Sequence, residues 1–327
     1  MSIASTRRAA LALIAASACA TGAAWAQAPA WPAKPIRLVV NFPPGGAADV
    51  IARALGPVVT EALKQPVVID NKPGAGGNIG SAEVVKAPND GHTLLMSSGG
   101  AITINPLIYP KMGFNPEKDL TPVAAVARVL VFLETHPSVP GTTVAEFIAH
   151  LKANPGKLSF GSPGQGSSPH LAGEMFKRLA RVDAVHVPYK GAGPALTDVL
   201  SGQLQFWFDP GPGLKHVKDG KLKILAVGSS ARSPQWPNVP TLAESGLAGF
   251  DADSLFGIYA PAGTPPAVVA RLHDEINRAL QTPAVADAIK ALGADPAVLT
   301  RDEFIARNQK ERERFEGLVK ELGLKLE

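Results

Sequence analysis

Short runs dominated by apolar residues alternate along the chain with longer amphipathic stretches. Short runs of this kind are typical of strands buried within a sheet. The predicted strands are Ile36–Val40, Val67–Ile69, Thr93–Met96, Leu158–Phe160, Ala184–Val187, Leu204–Phe208 and Leu222–Val227. Between them apolar side chains recur at helical spacing, as at Leu272, Ile276 and Leu280. The alternation predicts an α/β fold of parallel sheets with helices on both faces.

Two further strand-like runs, Arg128–Glu134 and Asp253–Ala260, have prolines beside them and are interpreted as crossings between two domains. Domain 1 would then comprise residues 31–127 and 254–327, and domain 2 residues 128–253. The last helix, from about Asp302 to Leu322, would pack on domain 1. Ligands of open α/β sheets bind outside the carboxyl ends of strands, so the predicted site is the cleft between the domains.

Residues 1–26 have the pattern of a secretory signal peptide. Arg7 and Arg8 precede an apolar run from Ala9 to Ala18, and the sequence Ala-Trp-Ala ends at Ala26. The pattern predicts secretion with cleavage before Gln27. Two variants stay open, a twin-arginine signal at residues 6–8 and a lipoprotein box ending at residue 19. Removing residues 1–26 from the 327-residue chain leaves 301 residues without cysteine, and therefore without disulfides or a thiol nucleophile.

The charge balance argues against a polyanionic partner. The formal net charge of +4 falls to +2 when Arg7 and Arg8 are removed with the signal. The densest charged stretch, Lys310–Arg314, mixes both signs along a predicted helix, which is typical of a solvated face. We therefore expect no nucleic-acid partner. No later run of 18 apolar residues occurs, so the exported chain is expected to be soluble.

Glycine-rich loops follow four of the predicted strands, at residues 43–46, 74–80, 97–100 and 161–168. Glycine allows backbone N–H groups to approach a ligand, and a helix N-terminus adds partial positive charge. A single such loop can be an ordinary connection between a strand and a helix. Four on one rim favour the binding of an anion.

The loops lack the motifs of phosphate binding and of catalysis. No Gly-Lys-Ser or Gly-Lys-Thr of a P-loop occurs, and in Gly74–Gly80 the last glycine is one place too late for a dinucleotide fingerprint. No serine has the flanking glycines of a nucleophile elbow, and no His-Glu-x-x-His metal motif is present. His170 and His186 are interpreted as packed residues. The sequence thus predicts no catalytic residue, no metal and no cofactor.

The rim offers neutral donors rather than cations. Lys190 is its one predicted cation, whereas the neutral polar residues are Asn78, Ser97, Ser98, Ser162, Gln165, Ser167, Ser168 and Tyr189. A carboxylate would therefore be held by amides and hydroxyls. Asp49, near the start of the first helix, complements the helix dipole and would attract an ammonium group or brace the loop. Ser168, which precedes Pro169, is the predicted N-cap of its helix.

Six segments together resemble one family. They read WPAKPIRLVVNFPPGGAAD, VVIDNKPGAGGNIG, APNDGHTLL, NPGKLSFGSPGQGSSPHLAGEMF, VDAVHVPYKGAGPALTDVLSGQ and VPTLAESG. They resemble the Bug-type receptors, the extracytoplasmic solute-binding proteins of tripartite tricarboxylate transporters. The resemblance runs from Trp31 to Leu326.

The resemblance implies a type II periplasmic-binding-protein fold with two lobes, two crossing strands and a cleft between the lobes. It also implies that opposing loops grip a carboxylate. One loop is Phe42–Gly46, including Pro44 and Gly45, together with Asp49. The other is Gly161–Ser168, including Gly166. The residues implied to line the rest of the site are Ser97, Ser98, Tyr189, Lys190 and Asp209. Departures from the family pattern occur at Asn41, His92, Pro163, Gln165, residues 208–217 and Phe315.

The function implied is non-enzymatic. A periplasmic receptor, expected to be a monomer, captures a small carboxylate (a di- or tricarboxylate, an aromatic acid or an amino acid). It delivers this solute to the membrane subunits of a tripartite tricarboxylate transporter. The alternatives are a carboxylate sensor for a signalling partner and a secreted hydrolase.

Overall fold

The computed structural model describes residues 31–325, and the predicted signal peptide lies outside these residues. Residues from Lys34 onward pack as one unit. The strands are β1 Ile36–Val40, β2 Val67–Asn71, β3 Thr93–Ser97, β4 Leu120–Val129, β5 Phe132–Thr135, β6 Ser159–Ser162, β7 Val185–Pro188, β8 Phe206–Asp209, β9 Lys223–Val227, β10 Ser254–Pro261 and β11 Asp295–Pro296. The α-helices are α1 Ala47–Leu63, α2 Asn78–Val85, α3 Asn105–Ile108, α4 Pro116–Asp119, α5 Val144–Ala153, α6 Ser168–Ala180, α7 Ala192–Leu200, α8 Leu214–Lys218, α9 Pro266–Leu280, α10 Pro283–Ala291 and α11 Arg301–Leu322.

The strands form two sheets, and each sheet is the centre of one lobe. The first lobe has six strands in the order β11-β4-β10-β3-β1-β2, and the second lobe has five in the order β7-β6-β8-β5-β9. The chain leaves the first sheet after Val129, enters the second at Phe132 and returns to the first at Ser254. Two segments therefore cross between the lobes, one at residues 130–131 and one after β9.

The expectation of parallel sheets is wrong for the strands next to the crossings. β1 pairs in parallel with β2 and β3, and β6 pairs in parallel with β7 and β8. β10, however, is antiparallel to β3 and β4, and β5 is antiparallel to β8 and β9. Helical connections keep neighbouring strands parallel, whereas a segment that arrives from the other lobe has no such constraint. Both sheets are therefore mixed.

The sheet of the second lobe has helices on both faces. Alternate residues of β8 point to opposite faces, so this one strand packs against helices on each side. Phe206 and Phe208 pack with Phe176 of α6, with ring centroids 6.3 and 5.9 Å apart. Trp207, between them, belongs to a cluster with Ala195 and other residues of α7. The N-termini of α6 and α7 thus lie at the same end of the sheet, each following a strand of it.

Helix α11 stabilises the returning crossing. Its buried Glu311 accepts hydrogen bonds from the Leu255 amide at 2.8 Å, the Ser254 hydroxyl at 3.1 Å and the Thr103 hydroxyl at 2.9 Å. Arg314 of the same helix pairs with Asp253 at 2.8 Å. The predicted last helix therefore contacts the first lobe through Glu311 and Arg314, whereas Glu321 near its end pairs with Arg178 of the second lobe at 2.6 Å. Within residues 31–325 no helix has the length and apolar character needed to span a bilayer.

Candidate functional site: a cleft closed by two jaws

The first jaw is the loop Phe42–Gly46, which joins β1 to α1. Asp49, in the first turn of α1, is buried, and its oxygens accept hydrogen bonds from the Gly45 amide at 2.9 Å and from Arg53 at 3.0 Å. Asn71 donates both to Asp49, at 2.9 Å, and to the Phe42 carbonyl, at 3.0 Å. Burial by itself would raise the pKa of Asp49, but these donors together lower it. Asp49 is thus an ionised brace of the jaw.

The second jaw is the loop Gly161–Ser168, which joins β6 to α6. The prediction that Ser168 is the N-cap is wrong, because Ser167 has the extended backbone of the cap and its hydroxyl accepts from the His170 amide at 3.4 Å. The Ser167 hydroxyl also donates to the Gly164 carbonyl at 2.7 Å. Pro169 is the second helical residue and not the first, so the cap lies one residue earlier than predicted. Ser168 itself is the first helical residue.

Two stacked histidines support the second jaw from behind. The rings of His170 and His186 lie 4.1 Å apart. The Gly166 amide donates to Nδ1 of His170 at 3.2 Å, and Nε2 of His186 lies 2.7 Å from the Ser162 hydroxyl. Burial lowers the pKa of His170 to about 4 and that of His186 to about 3, with Lys177 adding to both effects and His170 to the second. Both imidazoles are therefore neutral near pH 7, in agreement with their interpretation as packed residues.

The two jaws enclose one cavity of about 40 Å³, called here the inner cavity. Its lining residues are Phe42, Gly46, Ala47, Ala48, Ser98, Pro163, Ser167, Ser168, Pro169, Ala192, Pro210 and Phe256. Three helices of this set start at the cavity wall, α1 at Ala47, α6 at Ser168 and α7 at Ala192. The first amides of a helix have no intrahelical acceptor, and the helix dipole is positive there.

Ser98 adds an unpaired hydroxyl to this wall. It follows β3 and is 7 % exposed, and its Oγ has no hydrogen-bond partner among the residues that the structure describes. A buried hydroxyl without a partner is costly, so a ligand atom that bonds to it would stabilise the site. The inner cavity is therefore lined by helix N-termini of both lobes and by the Ser98 hydroxyl of the first lobe, and these groups are suited to an anion.

The jaws are closed against each other. A Cβ atom on Gly191, just before α7, would lie 2.1 Å from Cγ of Pro43, and one on Gly76 would lie 2.5 Å from the Gln165 carbonyl oxygen. A second cavity of about 190 Å³, the outer cavity, lies outside this contact. Phe42 and Pro163 line both cavities, and the outer one also includes Gln165, Tyr189 and Lys190.

Of the predicted site residues, Phe42, Gly46, Ser98, Ser167 and Ser168 line the inner cavity. Pro44 and Gly45 are exposed at the tip of the first jaw. Gln165, Tyr189 and Lys190 face the outer cavity, where the Tyr189 hydroxyl donates to Asp198 at 2.5 Å. Burial and this hydrogen bond raise the pKa of Tyr189 to about 12.

The other predicted polar residues have protein partners behind the jaws. Asn78 accepts from Asn105 at 2.7 Å, and Ser97 accepts from the buried Asn41 at 2.9 Å while donating to the Ser98 carbonyl. The Gly166 amide and the Ser162 hydroxyl belong to the histidine network described above. These groups hold the loops of the jaws in place and do not themselves line the inner cavity.

Asp209 is fully buried inside the second lobe and does not line either cavity. Its Oδ2 accepts from the Gly213 amide at 2.9 Å, and Glu134 nearby accepts from Trp207 at 2.9 Å. Burial raises the pKa of Asp209 to about 7, and burial together with Asp209 raises the pKa of Glu134. The acid at the end of β8 thus shapes the connection to α8.

Sequence reasoning missed several lining residues. Ala47 and Ala48 directly follow Gly46, so a helix beginning at the jaw was the available signal. Ala192 follows the glycine after Lys190 in the same way. Phe256 carries no local signal, because an apolar residue of a strand looks the same whether it faces the core or a cleft. Pro210, directly after β8, carries none either. Within the described residues no group of three or more His, Cys, Asp or Glu side chains is placed to hold a metal ion.

Two lobes on separate mixed sheets, joined by two crossings around a closed cavity, define the type II periplasmic-binding-protein fold. Residues 51–324 match the family described as "Tripartite tricarboxylate transporter family receptor". The chain belongs to this family, as its resemblance to Bug-type receptors implied.

Relatives and solved structures agree with this assignment. Protein BugT of Bordetella pertussis is 40 % identical over 306 residues, which cover 93 % of this chain and 94 % of BugT. An R. palustris protein solved with adipate superposes with a TM-score of 0.87 at 33 % identity, covering 90 % of this chain and 99 % of the other. The periplasmic binding protein BugD superposes with a TM-score of 0.86 at 31 % identity, covering 90 % and 99 %. The family and these structural neighbours are binding proteins.

Proposed function

We propose that this protein is a periplasmic receptor that captures a small carboxylate between its lobes and delivers it to the membrane subunits of a tripartite tricarboxylate transporter. The observation that carries the proposal is the inner cavity. Helix N-termini from both lobes converge there on a space lined by no charged residue among those described. Such an arrangement is suited to an anion with one compact charged group. The adipate bound to the R. palustris relative supports a carboxylate.

The proposed contacts divide between the jaws. The first jaw supplies the amides at Ala47 and Ala48, beside Phe42 and Gly46. The second supplies the amide and the hydroxyl group of Ser168. Ser98 donates its free hydroxyl from between them. Asp49 acts as a positioning residue, because its oxygens accept hydrogen bonds from the protein's own Gly45, Arg53 and Asn71.

The lobes are proposed to open and close about the two crossings, with domain boundaries at residues 127/128 and 253/254. Gly191 and Pro43 then separate in the open state, which admits the solute. The proposal includes export, removal of residues 1–26 and action as a monomer. It includes no chemical step, because Ser162 is fully buried and its hydroxyl lies 3.1 Å from the Gly164 carbonyl as well as 2.7 Å from Nε2 of His186.

The test is a thermal-shift screen followed by calorimetry. The screen covers mono-, di- and tricarboxylates, aromatic acids and amino acids. A solute at one hundred times its Kd stabilises the folded protein by about 2.7 kcal/mol. For a chain of this size that amounts to several degrees in Tm. If no carboxylate in the screen shifts Tm by one degree, the proposed function is wrong.

A further inference from the structure

Two acidic side chains lie together in the interior of the second lobe, and the proposed binding contacts use neither of them. Glu134 of β5 and Asp209 at the end of β8 are fully buried. The Trp207 indole donates to Oε2 of Glu134 at 2.9 Å, and the Gly213 amide donates to Oδ2 of Asp209 at 2.9 Å. Asp209 also accepts from the Gly211 amide. This acid pair is thus bonded to the turn that follows β8.

The acid pair holds at least one proton at neutral pH. The two carboxyl groups form a hydrogen bond with each other, and a carboxyl group donates only when it is protonated. Two ionised carboxylates buried side by side would repel each other, and burial disfavours the charge of each. Burial and the charge of Asp209 therefore raise the pKa of Glu134. Because Asp209 already accepts the amides of the turn, Glu134 is the acid that donates.

The surrounding elements supply no counter-ion to the acid pair among the residues that the structure describes. Their titratable side chains are His136 after β5, Asp198 of α7, Lys215, His216 and Lys218 of α8, Asp219 and Lys221 after α8, Lys223 of β9 and Lys290 of α10. Lys223 donates to the Val139 and Gly141 carbonyls, and Lys218 lies 5.7 Å from the ring centroid of Trp236. Burial and the neighbouring lysines lower the pKa of His216, so its imidazole is neutral near pH 7.

The turn at residues 210–213 connects the acid pair to the closed cleft. Pro210 lines the inner cavity. Gly211 lies against the first lobe, since a Cβ atom on it would be 2.5 Å from the carbonyl oxygen of Leu292, directly after α10. A movement of this turn would therefore change both the wall of the cavity and a contact between the lobes.

We propose that Glu134 is a positioning residue for solute capture: as a protonated acid it donates to Asp209, and the acid pair holds the turn at residues 210–213 against the inner cavity and the first lobe. Loss of the proton leaves two buried carboxylates, which are relieved when the turn moves away and admits water. Rising pH should therefore loosen the turn. The inference rests on the proposed function, because capture is what the position of the turn serves, but the position can be measured without a solute.

The pH range follows from the direction of the pKa shift. The pKa of Glu134 lies well above its ordinary value of 4.5 while the turn is closed, and an open turn exposed to water would return it toward that value. The stability contributed by the proton is complete below 4.5 and is lost as the pH rises toward the raised pKa. The opening equilibrium of the turn can increase by up to about tenfold per pH unit in this range.

Amide hydrogen exchange followed by NMR tests the inference on the exported protein dialysed free of solute. Wild type is compared with Glu134→Gln at pH 5.5 and at pH 7.5. The glutamine can accept from Trp207 and donate to Asp209, as the protonated acid does, but it cannot lose that proton. For the Gly211 and Gly213 amides, the ratio of the wild-type rate to the variant rate should rise at least tenfold between the two pH values. An unchanged ratio overturns the inference.

Glu311→Gln is the matched control. Glu311 is another buried acid whose pKa is raised to about 7 by burial, but it lies at the returning crossing in the first lobe. The ratio of wild-type to Glu311→Gln rates at the turn amides should change by less than threefold between the two pH values. A tenfold rise in this control would assign the pH effect to Glu311 and overturn the inference.

The amides of β9, which pairs with β5, show whether the effect is confined to the turn. If they lose as much protection as the turn, the acid pair stabilises the whole lobe and the inference is wrong. If Glu134→Gln does not fold, the wild type alone decides: protection at the Gly211 and Gly213 amides should fall at least tenfold relative to β9 from pH 5.5 to 7.5, and constant protection overturns the inference. A screen in which no carboxylate binds would overturn the proposed function and leave these exchange measurements unaffected.

Discussion

The two jaws have the same plan but are stabilised by opposite chemistry. In both, a strand ends, a glycine-rich loop turns, and a helix begins at the inner cavity. The first jaw is held by an ionised carboxylate, Asp49, surrounded by donors. The second is held by the neutral imidazoles of His170 and His186. The cavity itself is thus free of charge although one of its supports is ionised.

Because of this difference, the two jaws should lose stability in two separate pH ranges. The pKa of Asp49 lies below its usual value of 3.8, so the stability it contributes is present above that value and lost only in stronger acid. The two histidines have pKa values near 4 and 3, against 6.5 in an unfolded chain. Their contribution is complete above 6.5 and declines as the pH falls through the window down to these values. Mild acid should therefore loosen the second jaw first.

The largest expected effect comes from placing the same charge in each jaw. Ser168→Asp and Ala47→Asp each put a carboxylate at the first position of a helix, where the dipole favours it. Either side chain would occupy or repel the place of the ligand carboxylate. We expect each variant to lose at least a hundredfold in affinity for the solute, about 2.8 kcal/mol. Calorimetry measures the loss.

Ser168→Ala is the control for the second jaw, since it removes the hydroxyl without adding charge. It should cost less than tenfold in affinity. If only one of the two aspartate variants loses affinity while both fold, the ligand is gripped by one jaw alone, and the view of two equivalent jaws fails.

A smaller effect is expected from Asp49→Asn, which keeps the shape of the brace but removes its charge. The new amide group would face donors from Gly45, Arg53 and Asn71. Loss of hydrogen bonds to a charged group should lower the free energy of unfolding by about 2 kcal/mol. Denaturant unfolding measures this. Arg53→Ala is the matched control. Because the Arg53 side chain is about half exposed and Asp49 keeps its bonds to Gly45 and Asn71, this variant should cost less than about 1 kcal/mol. Equal losses of unfolding free energy in the two variants would show that Asp49 stabilises the protein through its ion pair with Arg53 and not by bracing the loop.

The smallest effect is expected from His186→Gln, which keeps a hydrogen-bonding group near Ser162 but cannot titrate. At pH 7.5 the variant should be less stable by about 1 kcal/mol, because the stacking with His170 is lost. Between pH 6.5 and 5 the wild type should lose about 2 kcal/mol relative to the variant. By pH 5 the variant should then be the more stable protein.

The measurement is the unfolding free energy of wild type and variant, compared at each of several pH values. The comparison cancels the contribution of Glu134 and Asp209, whose raised pKa values make stability fall as the pH rises. His150→Gln on α5 controls for the removal of a histidine from the second lobe. A stability difference between wild type and His186→Gln that does not change with pH would show that the second jaw does not depend on a neutral His186.

Part of the lining of the inner cavity was predictable because its sequence signals are local. Gly46, Ser98, Ser167 and Ser168 follow predicted strands, and a glycine or serine at the end of a strand is a signal within a few residues. Asp209 gives the same local signal, yet it lies inside the second lobe beside Glu134 of a neighbouring strand. A strand-end acid that faces solvent and one that faces the interior have the same sequence pattern.

The sequence by itself determined the α/β alternation, the two crossings, the loops of both jaws and the neutral character of their donors. These follow from the spacing of apolar residues and from the backbone freedom of glycine, which act over a few residues. Only the tertiary structure decided that the strands beside the crossings run antiparallel and that Phe256 and Pro210 complete the cavity. It also decided that Asp49 is bonded to its own loop and does not line the inner cavity. Residues far apart in the chain meet through strand pairing and packing, and no local pattern encodes which face of a strand is turned to the other lobe.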